Sequence, residues 1–272
     1  MSEQLDKLIQ TIQPCCGDGI VLGFSGGADS ALLLAVLSLI RKKDPFPLAA
    51  VMMYSPFQTE QEWKEANALA ARYSVPFHCL RYDPLSIPEI KYNSRERCYH
   101  CKKYFFSGIL AFAKENAMKY VFDGTNTDDF GKYRPGQKAI KELGIRSPLA
   151  ESGFFKQDIR SVSRELNLIT ADKPAAPCLA TRFDYGMELS AEQIRRVADG
   201  EALIREMLPE AKEIRLRMEQ DSARIEVSRE VLPALMQKQE LLFCALKKLD
   251  FQKITIDEKG YRSGSFDNFS TN

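Results

Sequence analysis

Long apolar runs are absent from this sequence of 272 residues. The longest apolar stretch, residues 31–40, is interrupted by Ser38 and is shorter than the roughly 20 residues that a membrane-spanning helix needs. The opening residues, MSEQLDKLIQ, include acidic side chains and lack the apolar core of a secretory signal. We therefore expect neither a membrane segment nor a secretory leader.

A strong excess of charge of either sign is also absent. The chain has 38 Lys and Arg against 37 Asp and Glu, which gives a net charge of +1. Proteins that hold long nucleic acids carry basic surfaces, so we expect no stable nucleic-acid partner. Hydrophobic residues make up 44% and charged residues 28% of the chain, which excludes an intrinsically disordered protein.

An even number of cysteines is lacking too, because the chain has seven. A chain of this length buries a core without disulfides, so we expect reduced thiols in the cytoplasm. Some of these thiols are then candidates for metal ligands or reactive groups. The length itself indicates about two domains, at roughly 150 residues for each domain.

Short apolar strands alternate with helical patterns in the first two-thirds of the chain. The sequence predicts strands at residues 19–24, 48–54, 76–82 and 119–123, and helices at residues 30–41, 60–73 and 101–116. This order is typical of an α/β fold with a mainly parallel sheet and helices on both faces. Ligands of such sheets bind beyond the carboxyl ends of the strands.

A different pattern begins after Gly186. Ser190 and Gln193 have capping-box spacing before a helix at residues 191–207. Strands are predicted at residues 213–218, 223–227 and 253–256, with a helix at 230–249 between the last two. We therefore predict a first domain at residues 1–186 and a small α+β domain at residues 187–272.

The string SGGADS follows the first predicted strand. Glycines allow phosphate oxygens to approach the backbone, and the next helix offers its N–H groups and positive dipole end. The residues predicted to bind phosphate are Ser25, Gly26, Gly27 and Ser30. Asp29 is the predicted Mg²⁺ ligand. The alternative is a tight turn capped by Asp29 or Ser30. The string has no lysine, so it differs from a GxxxxGK[ST] loop.

Three cysteines stand in conspicuous positions: Cys98 and Cys101 form a CxxC among basic residues, and Cys178 lies in a proline-rich loop. Positive surroundings and a helix start favour the thiolate. The spacing leaves open a structural zinc site completed by His100, a CxxC disulfide, a [4Fe–4S] cluster on the three cysteines, or simple helix residues.

The remaining cysteines are weaker candidates for metal ligands or reactive groups. Cys79 and Cys244 are predicted to be small core residues, and Cys15 and Cys16 have no partner motif.

Polar residues follow the fourth strand. Asp128 is a candidate for Mg²⁺ binding or loop anchoring, and for Asp129 we favour a capped turn.

Several strings together resemble known families. SGGADS is similar to the loop of the PP-loop ATP pyrophosphatases, which cleave ATP between its α and β phosphates. GTNTDD, RPG with Arg134, SPL, DKPAAPCLATR and the closing GYRSGSF resemble LarE, the sulfurtransferase of nickel-pincer cofactor synthesis. The resemblance implies a PP-loop, Rossmann-like domain, ATP and Mg²⁺ as cofactors, and a small anionic pyridinium nucleotide as substrate.

The implied reaction adenylylates the carboxylates of pyridinium-3,5-biscarboxylic acid mononucleotide and converts them to thiocarboxylates. In the three-cysteine type of this family, Cys98, Cys101 and Cys178 would hold a [4Fe–4S] cluster; otherwise Cys178 gives up its own sulfur. The sequence departs from the family at three positions. Pro177 precedes the cysteine where we expect a different residue, Thr181 replaces the expected serine, and Asp184 replaces the expected proline.

The resemblance also implies roles for other residues. Gly124 and Thr125 would bind the nucleotide beside the loop, and the arginines of the second domain would hold the substrate phosphate. Those residues are Arg215, Arg217 and the neighbouring Glu226. The alternative is that these arginines only form salt bridges with Glu226 on the neighbouring strand and bind no ligand. Arg182 would stabilise the acyl phosphate or form a salt bridge at the rim, and Glu201 is a weaker candidate.

Other functions stay open from the sequence. A PP-loop enzyme that thiolates tRNA could carry the same three cysteines, and an ammonia-using synthetase would need none of them. A non-catalytic nucleotide-binding module is the alternative outside the enzymes. The family further implies a homo-oligomer, and a sulfur-donor protein is a possible partner.

Overall fold

The computed structural model describes residues 2–130, 135–174, 176–219 and 222–262. Its contacts divide the chain into two compact units. The first unit comprises Met1–Pro84 and Glu96–Ala176, and the second comprises Leu85–Arg95 and Pro177–Asn272. Each unit has its own sheet.

A four-stranded parallel sheet forms the centre of the first unit. Its strands are β1 (Ile20–Gly23), β2 (Leu48–Tyr54), β3 (Phe77–Arg81) and β4 (Tyr120–Phe122), in the order β3-β2-β1-β4. The sequence predicted all four strands, and the α/β fold is confirmed. β1 and β2 are almost continuously apolar because both faces of a parallel sheet are covered.

Helices cover the two faces of this sheet. The described helices of this unit are α1 (Glu3–Ile12), α2 (Ala28–Lys43), α3 (Glu60–Arg72), α5 (Arg97–Glu115), α6 (Pro135–Glu142), α7 (Pro148–Glu151) and α8 (Lys156–Glu165), whereas α4 (Pro88–Lys91) belongs to the second unit. Apolar residues of α1, α2, α3 and α8 share one core, and those of α5 and α6 share the other. Within the described ranges, no helix combines the length and apolar character that crossing a bilayer requires.

Two features of the first unit differ from the sequence-based expectation. Helix α5 begins at Arg97 rather than at residue 101, so Cys98 lies in its first turn. Helices α1, α6, α7 and α8 were not predicted. Two of them, α6 and α7, begin with proline, and α7 has only four residues. Short helices of this kind depend on what they pack against.

The second unit is a small α+β structure. Its remaining elements are α9 (Ala191–Met207), β5 (Ile214–Glu219), β6 (Ser222–Val227), α10 (Leu232–Gln237), α11 (Gln239–Lys247) and β7 (Lys253–Ile256). Strands β5 and β6 are antiparallel, whereas β6 and β7 are parallel. The capping box of Ser190 and Gln193 is present. The single helix predicted at residues 230–249 is wrong, because the backbone leaves the helical region at Lys238.

Residues 85–95 pack with the second unit although they lie within the first two-thirds of the chain. The Asn93 side-chain amide donates to the carbonyl oxygens of Phe183 (2.9 Å) and Asp184 (2.7 Å). The Leu189 N–H donates to the Lys91 carbonyl at 2.7 Å. These bonds join residues 85–95 to residues 183–189. Residues 177–186 also belong to the second unit, whereas the sequence-based boundary lay after residue 186.

Candidate functional site

The loop between β1 and α2 has the geometry of a phosphate cradle. Gly26 has a φ of +71°, and a Cβ at this position would lie 3.1 Å from Ala66 Cβ on α3, so any other residue would be strained here. Ser25 Oγ lies 3.2 Å from Ser30 Oγ, and the Ser30 hydroxyl donates to the Gly27 carbonyl at 3.3 Å. No described side chain caps the start of α2, which leaves its first N–H groups to a ligand.

Asp29 lies in the first turn of α2, and only one of its two carboxylate oxygens accepts hydrogen bonds from described residues. Its Oδ2 accepts from the Asn126 side-chain amide at 3.3 Å and from the Lys156 ammonium. Its Oδ1 is buried and has no hydrogen-bond partner among the described residues. A buried carboxylate oxygen without a partner is costly, and carboxylate oxygens are the ligands that Mg²⁺ prefers. The residues therefore fit a magnesium–phosphate complex at this loop.

The end of β4 lies against the start of α2. A Cβ at Gly124 would lie 3.3 Å from the Ser30 nitrogen and 3.4 Å from Asp29 Cβ, which is close enough to disfavour other residues. The neighbouring Thr125 hydroxyl donates to Asp123 Oδ2 at 2.5 Å. Asp123 therefore holds Thr125, and it also accepts from the Ser147 hydroxyl at 2.6 Å.

The two adjacent aspartates after this strand have structural partners. Asp129 Oδ2 accepts from the Asn126 N–H at 3.1 Å, so the predicted capped turn is confirmed. Asp128 Oδ2 accepts from the backbone N–H of Lys156 at 2.6 Å and anchors the start of α8. Arg134, the other polar candidate of this stretch, lies outside the described residues.

Two lysines near the loop were missed by the sequence analysis. Lys156 contacts Asp29, and the Lys173 ammonium donates to the Gly26 carbonyl at 3.1 Å and to Glu65 at 2.8 Å. Burial would raise the pKa of Glu65, but the hydrogen bonds from Lys173 and Gln61 outweigh it and hold the pKa below its usual range. Lys173 lies in the string DKPAAPCLATR, but nothing in that string indicates a contact with the loop, and Lys156 belongs to none of the quoted strings. Each lysine reaches the loop from a distant segment.

The CxxC lies at the start of α5, where Cys98 and Cys101 are one helical turn apart on the same face. Cys98 is exposed and lies 3.7 Å from an Arg97 guanidinium nitrogen. Cys101 is partly buried, and its sulfur lies 3.1 Å from the Tyr82 hydroxyl. Both are thiols rather than halves of a disulfide.

Cys178 belongs to the second unit and is exposed. It precedes the 3-10 turn Leu179–Arg182, and its carbonyl accepts from the Thr181 N–H at 2.9 Å and hydroxyl at 2.8 Å. A serine hydroxyl could make the same bond, so the change to threonine preserves this contact. In the described parts of the chain, no three His, Cys, Asp or Glu side chains are grouped as metal ligands. The thiols suit an iron–sulfur cluster chemically, and they are contributed by both units, Cys98 and Cys101 by the first and Cys178 by the second.

The other four cysteines are less suited to bind a metal or to act as nucleophiles. Cys15 and Cys16 are buried, and burial raises the pKa of the Cys16 thiol to about 11. The prediction that Cys244 is a core residue is wrong, because Cys244 is exposed. The buried face of α11 carries Leu242 and Leu246, and a residue two positions after Leu242 points away from it. Cys79 is partly exposed.

A buried ion pair joins the cysteine turn of the second unit to α9. Arg182 donates to both oxygens of Glu201, from Nε at 2.8 Å and from Nη2 at 3.0 Å. Glu201 also accepts from the Leu216 N–H at 2.9 Å, and Arg182 donates to the Pro177 carbonyl at 2.9 Å. Arg182 is only 4% exposed, so this salt bridge is part of the interior rather than of a rim.

Strand β5 brings two more buried arginines to the same unit. Arg217 donates to Glu226 at 3.1 Å and to the Thr181 carbonyl at 2.6 Å. Arg215 pairs with Glu213 at 2.9 Å. Burial lowers the pKa of Arg217, Glu226 opposes this shift, and the positive charges of Arg182 and Arg215 add to it.

We call Arg182, Arg215, Arg217, Glu201 and Glu226 the arginine cluster. Its three guanidiniums are buried with the carboxylates of Glu201 and Glu226, and Arg215 also pairs with the partly exposed Glu213. Three guanidiniums close together suit a phosphate or carboxylate ligand, since guanidinium groups bind both in bidentate geometry. The sequence-based pairing of Arg217 with Glu226 is present as well, so the pair contributes a guanidinium that is already held in place.

Comparisons with known proteins agree with this chemistry. The family described as NAD synthase matches residues 1–105, which include the phosphate loop and the CxxC. The pyridinium-3,5-bisthiocarboxylic acid mononucleotide synthase of Lactiplantibacillus plantarum is 33% identical over 90% of this chain and 87% of its own. The chain belongs to the LarE family. It is therefore an ATP-dependent enzyme with a PP-loop domain.

Two further relatives align over nearly the whole chain. An uncharacterized protein of Synechocystis sp. is 34% identical over 93% of this chain and 94% of its own. An uncharacterized protein of Methanocaldococcus jannaschii is 32% identical over 90% of this chain and 91% of its own. A match of this extent cannot be confined to one unit, so both units are common to this LarE family member and its relatives.

Proposed function

We propose that this LarE family member adenylylates the carboxylates of pyridinium-3,5-biscarboxylic acid mononucleotide and converts them to thiocarboxylates. The observation that carries the proposal is the alignment with the thiocarboxylate-forming synthase over both units. The open oxygen of Asp29 beside a glycine-rich loop supports the ATP-dependent half of the reaction.

The first step would activate a poor acyl donor. A substrate carboxylate oxygen forms a bond to the α-phosphorus of ATP, the bond to the β-phosphate bridge breaks, and pyrophosphate leaves. Ser25, Gly26, Gly27 and Ser30 would bind phosphate oxygens, and Asp29 would hold the Mg²⁺ that neutralises the leaving group. Gly124 and Thr125 would border the nucleotide.

The second step would replace the activated oxygen by sulfur. A thiolate-type sulfur attacks the acyl carbon, and AMP leaves with the former carboxylate oxygen. The arginine cluster would hold the anionic groups of the substrate through Arg215 and Arg217, and Arg182 would stabilise the acyl phosphate. Glu201 would keep Arg182 oriented through two hydrogen bonds, and Glu226 would keep Arg217 oriented through one.

We propose that Cys98, Cys101 and Cys178 supply the sulfur. When held by these three thiolates, a [4Fe–4S] cluster would carry a transferable sulfide. Without it, the Cys178 thiolate would displace AMP to form a thioester. Loss of the Cα proton of Cys178 would then break its Cβ–Sγ bond, which releases the thiocarboxylate and leaves dehydroalanine at position 178. We further propose that the enzyme works in the cytoplasm with reduced thiols, assembles as a homo-oligomer and is reloaded by a sulfur-donor protein.

The test replaces one exposed cysteine at a time and measures both halves of the reaction. We expect Cys178→Ala to lose thiocarboxylate formation by at least about 100-fold while ATP is still converted to AMP and pyrophosphate, because only the nucleophile is removed. Cys244→Ala is the matched control, since Cys244 is also exposed and lies outside the proposed site. Mass spectrometry of the product and AMP quantification provide the two readouts.

Thiocarboxylate formation at the normal rate by Cys178→Ala would contradict the proposed sulfur source. Formation of an amide from added ammonia by the same variant would identify an ammonia-using synthetase instead.

A further inference from the structure

The phosphate loop has no basic side chain of its own, because the string Ser25–Ser30 contains neither lysine nor arginine. Backbone N–H groups and a helix dipole provide partial positive charges, but pyrophosphate leaves with several negative charges. Enzymes that transfer phosphoryl or nucleotidyl groups meet this charge with positioned cations. A lysine that reaches the loop from another segment is therefore of particular interest.

Lys156 reaches the loop from the first residue of α8. Its ammonium contacts Asp29 Oδ2, although the two residues are 127 positions apart. The Lys156 side chain is 50% exposed, whereas the Asp29 side chain is 22% exposed, so the ammonium end is accessible to a ligand.

The backbone of Lys156 is fixed although its side chain is accessible. Its N–H donates to Asp128 Oδ2 at 2.6 Å, and the preceding Phe155 N–H donates to Asp158 Oδ2 at 2.9 Å. Since these bonds hold the first turn of α8, the ammonium can move about a stationary Cα. A lysine stem with four rotatable bonds permits such a movement without a change of the backbone.

The partners of Asp29 indicate when the movement occurs. Without a nucleotide, Lys156 neutralises a carboxylate whose second oxygen is buried and unpartnered among the described residues. A Mg²⁺ ion at this carboxylate would repel the ammonium, while the phosphates bound with that ion would attract it. The ammonium and the metal therefore compete for Asp29, and the phosphates give the displaced ammonium a new partner.

We propose that Lys156 is a nucleotide-binding catalytic residue whose ammonium leaves Asp29 for the pyrophosphate oxygens when MgATP binds. Asp128 is then a positioning residue that holds the start of α8. The same exchange disfavours Mg²⁺ binding at Asp29 without a nucleotide. The inference rests on the proposed use of ATP but not on the identity of the acceptor or on the sulfur source.

Titration calorimetry with magnesium pyrophosphate tests this exchange without the acceptor. We expect Lys156→Met to weaken pyrophosphate binding by about tenfold or more, the usual effect of losing a charged hydrogen bond. Lys156→Arg restores most of the binding because it keeps the charge. Lys64→Met is the matched control, since Lys64 is an exposed helix lysine that also pairs with a carboxylate, Glu60.

A second readout uses Mn²⁺ in place of Mg²⁺, followed by electron paramagnetic resonance without nucleotide. Lys156→Met is expected to bind Mn²⁺ more tightly than the unmodified enzyme, because the competing ammonium is gone. Circular dichroism and the melting temperature verify that each variant is folded, and Lys156→Arg serves as the test protein if the methionine variant is not.

Pyrophosphate and Mn²⁺ affinities within twofold of those of the unmodified enzyme would overturn the inference, since Lys156 would then be only a counter-ion. If Lys156→Met does not fold, binding by Lys156→Arg at less than one-tenth of the normal affinity would equally overturn it. Failure of the unmodified enzyme to bind either MgATP or magnesium pyrophosphate would instead contradict the proposed function.

Discussion

The two cysteines at the start of α5 have different surroundings although they are one turn apart. Cys98 is exposed beside a guanidinium, whereas Cys101 is partly buried beside the Tyr82 hydroxyl. Cys15 and Cys16, in contrast, are buried, and burial raises the pKa of both thiols. Accessibility therefore favours Cys98 and Cys101 over the two buried cysteines as ligands or nucleophiles.

Iron and acid-labile sulfide per chain distinguish the possible uses of these cysteines. In protein purified without oxygen, we expect about four of each, as one [4Fe–4S] cluster requires. Cys98→Ala is expected to lose both, and Cys244→Ala is expected to keep both. Zinc measured in the same samples tests the structural-metal alternative.

Protein without iron after anaerobic reconstitution would exclude the cluster. Cys178 would then remain as the direct donor, and the CxxC would have to serve a zinc site or a disulfide.

The individual residues of the phosphate loop could be predicted from the sequence because their spacing is local. Asp29 and Ser30 follow the glycines directly, so the string SGGADS contains its own geometry. Lys156 and Lys173 could not be predicted in this way. Their contacts with Asp29 and Gly26 join segments more than a hundred residues apart, and such contacts exist only after the chain has folded.

At the scale of elements, the second unit depends on an ion pair that links a short turn to a long helix. Arg182 of the 3-10 turn and Glu201 of α9 share two hydrogen bonds in the interior, and Glu201 also accepts from a β5 N–H. Because this carboxylate joins three elements, its loss should affect the whole unit. The turn that it fixes also carries Cys178.

Glu201→Gln tests this role by removing the charge and keeping the shape. We expect it to lower the free energy of unfolding by about 3–5 kcal/mol, since a buried arginine is left without its counter-charge. Urea denaturation followed by circular dichroism gives the value. The matched control is Glu60→Gln, which breaks an exposed pair with Lys64 and should change stability little.

Equal stability of Glu201→Gln and the unmodified protein would show that the pair is dispensable for the fold of the second unit.

Strong periodicity made several elements predictable. β2, α9 and β7 were located within a residue or two of their ends, because each has a regular apolar pattern and clear flanking residues. The helix predicted at residues 230–249 failed at Lys238, where a continuous apolar pattern conceals a break in the backbone. Helix α8, which carries Lys156, has a strongly polar sequence, so its few apolar positions did not identify it.

At the scale of the whole molecule, residues 85–95 show the limit of a linear division into domains. They lie between two segments of the first unit but hydrogen-bond with residues 183–189 of the second. No composition change marks them in the sequence. The α/β class, in contrast, could be predicted because the βα rhythm extends over more than a hundred residues.

Both units are present in all three relatives, so the enzyme is best tested as a complete chain. Its proposed reaction joins ATP chemistry, supported by the phosphate loop, to an anionic substrate, supported by the arginine cluster. The step that connects them is the transfer of AMP to a carboxylate oxygen.

The most direct measurement follows that oxygen. Pyridinium-3,5-biscarboxylic acid mononucleotide labelled with heavy oxygen in its carboxylates is incubated with the anaerobic enzyme, ATP and Mg²⁺, and the products are analysed by mass spectrometry. We predict that one labelled oxygen appears in AMP for each carboxylate that becomes a thiocarboxylate. Labelled oxygen in inorganic phosphate, or a thiocarboxylate formed with unlabelled AMP, would contradict activation by adenylylation.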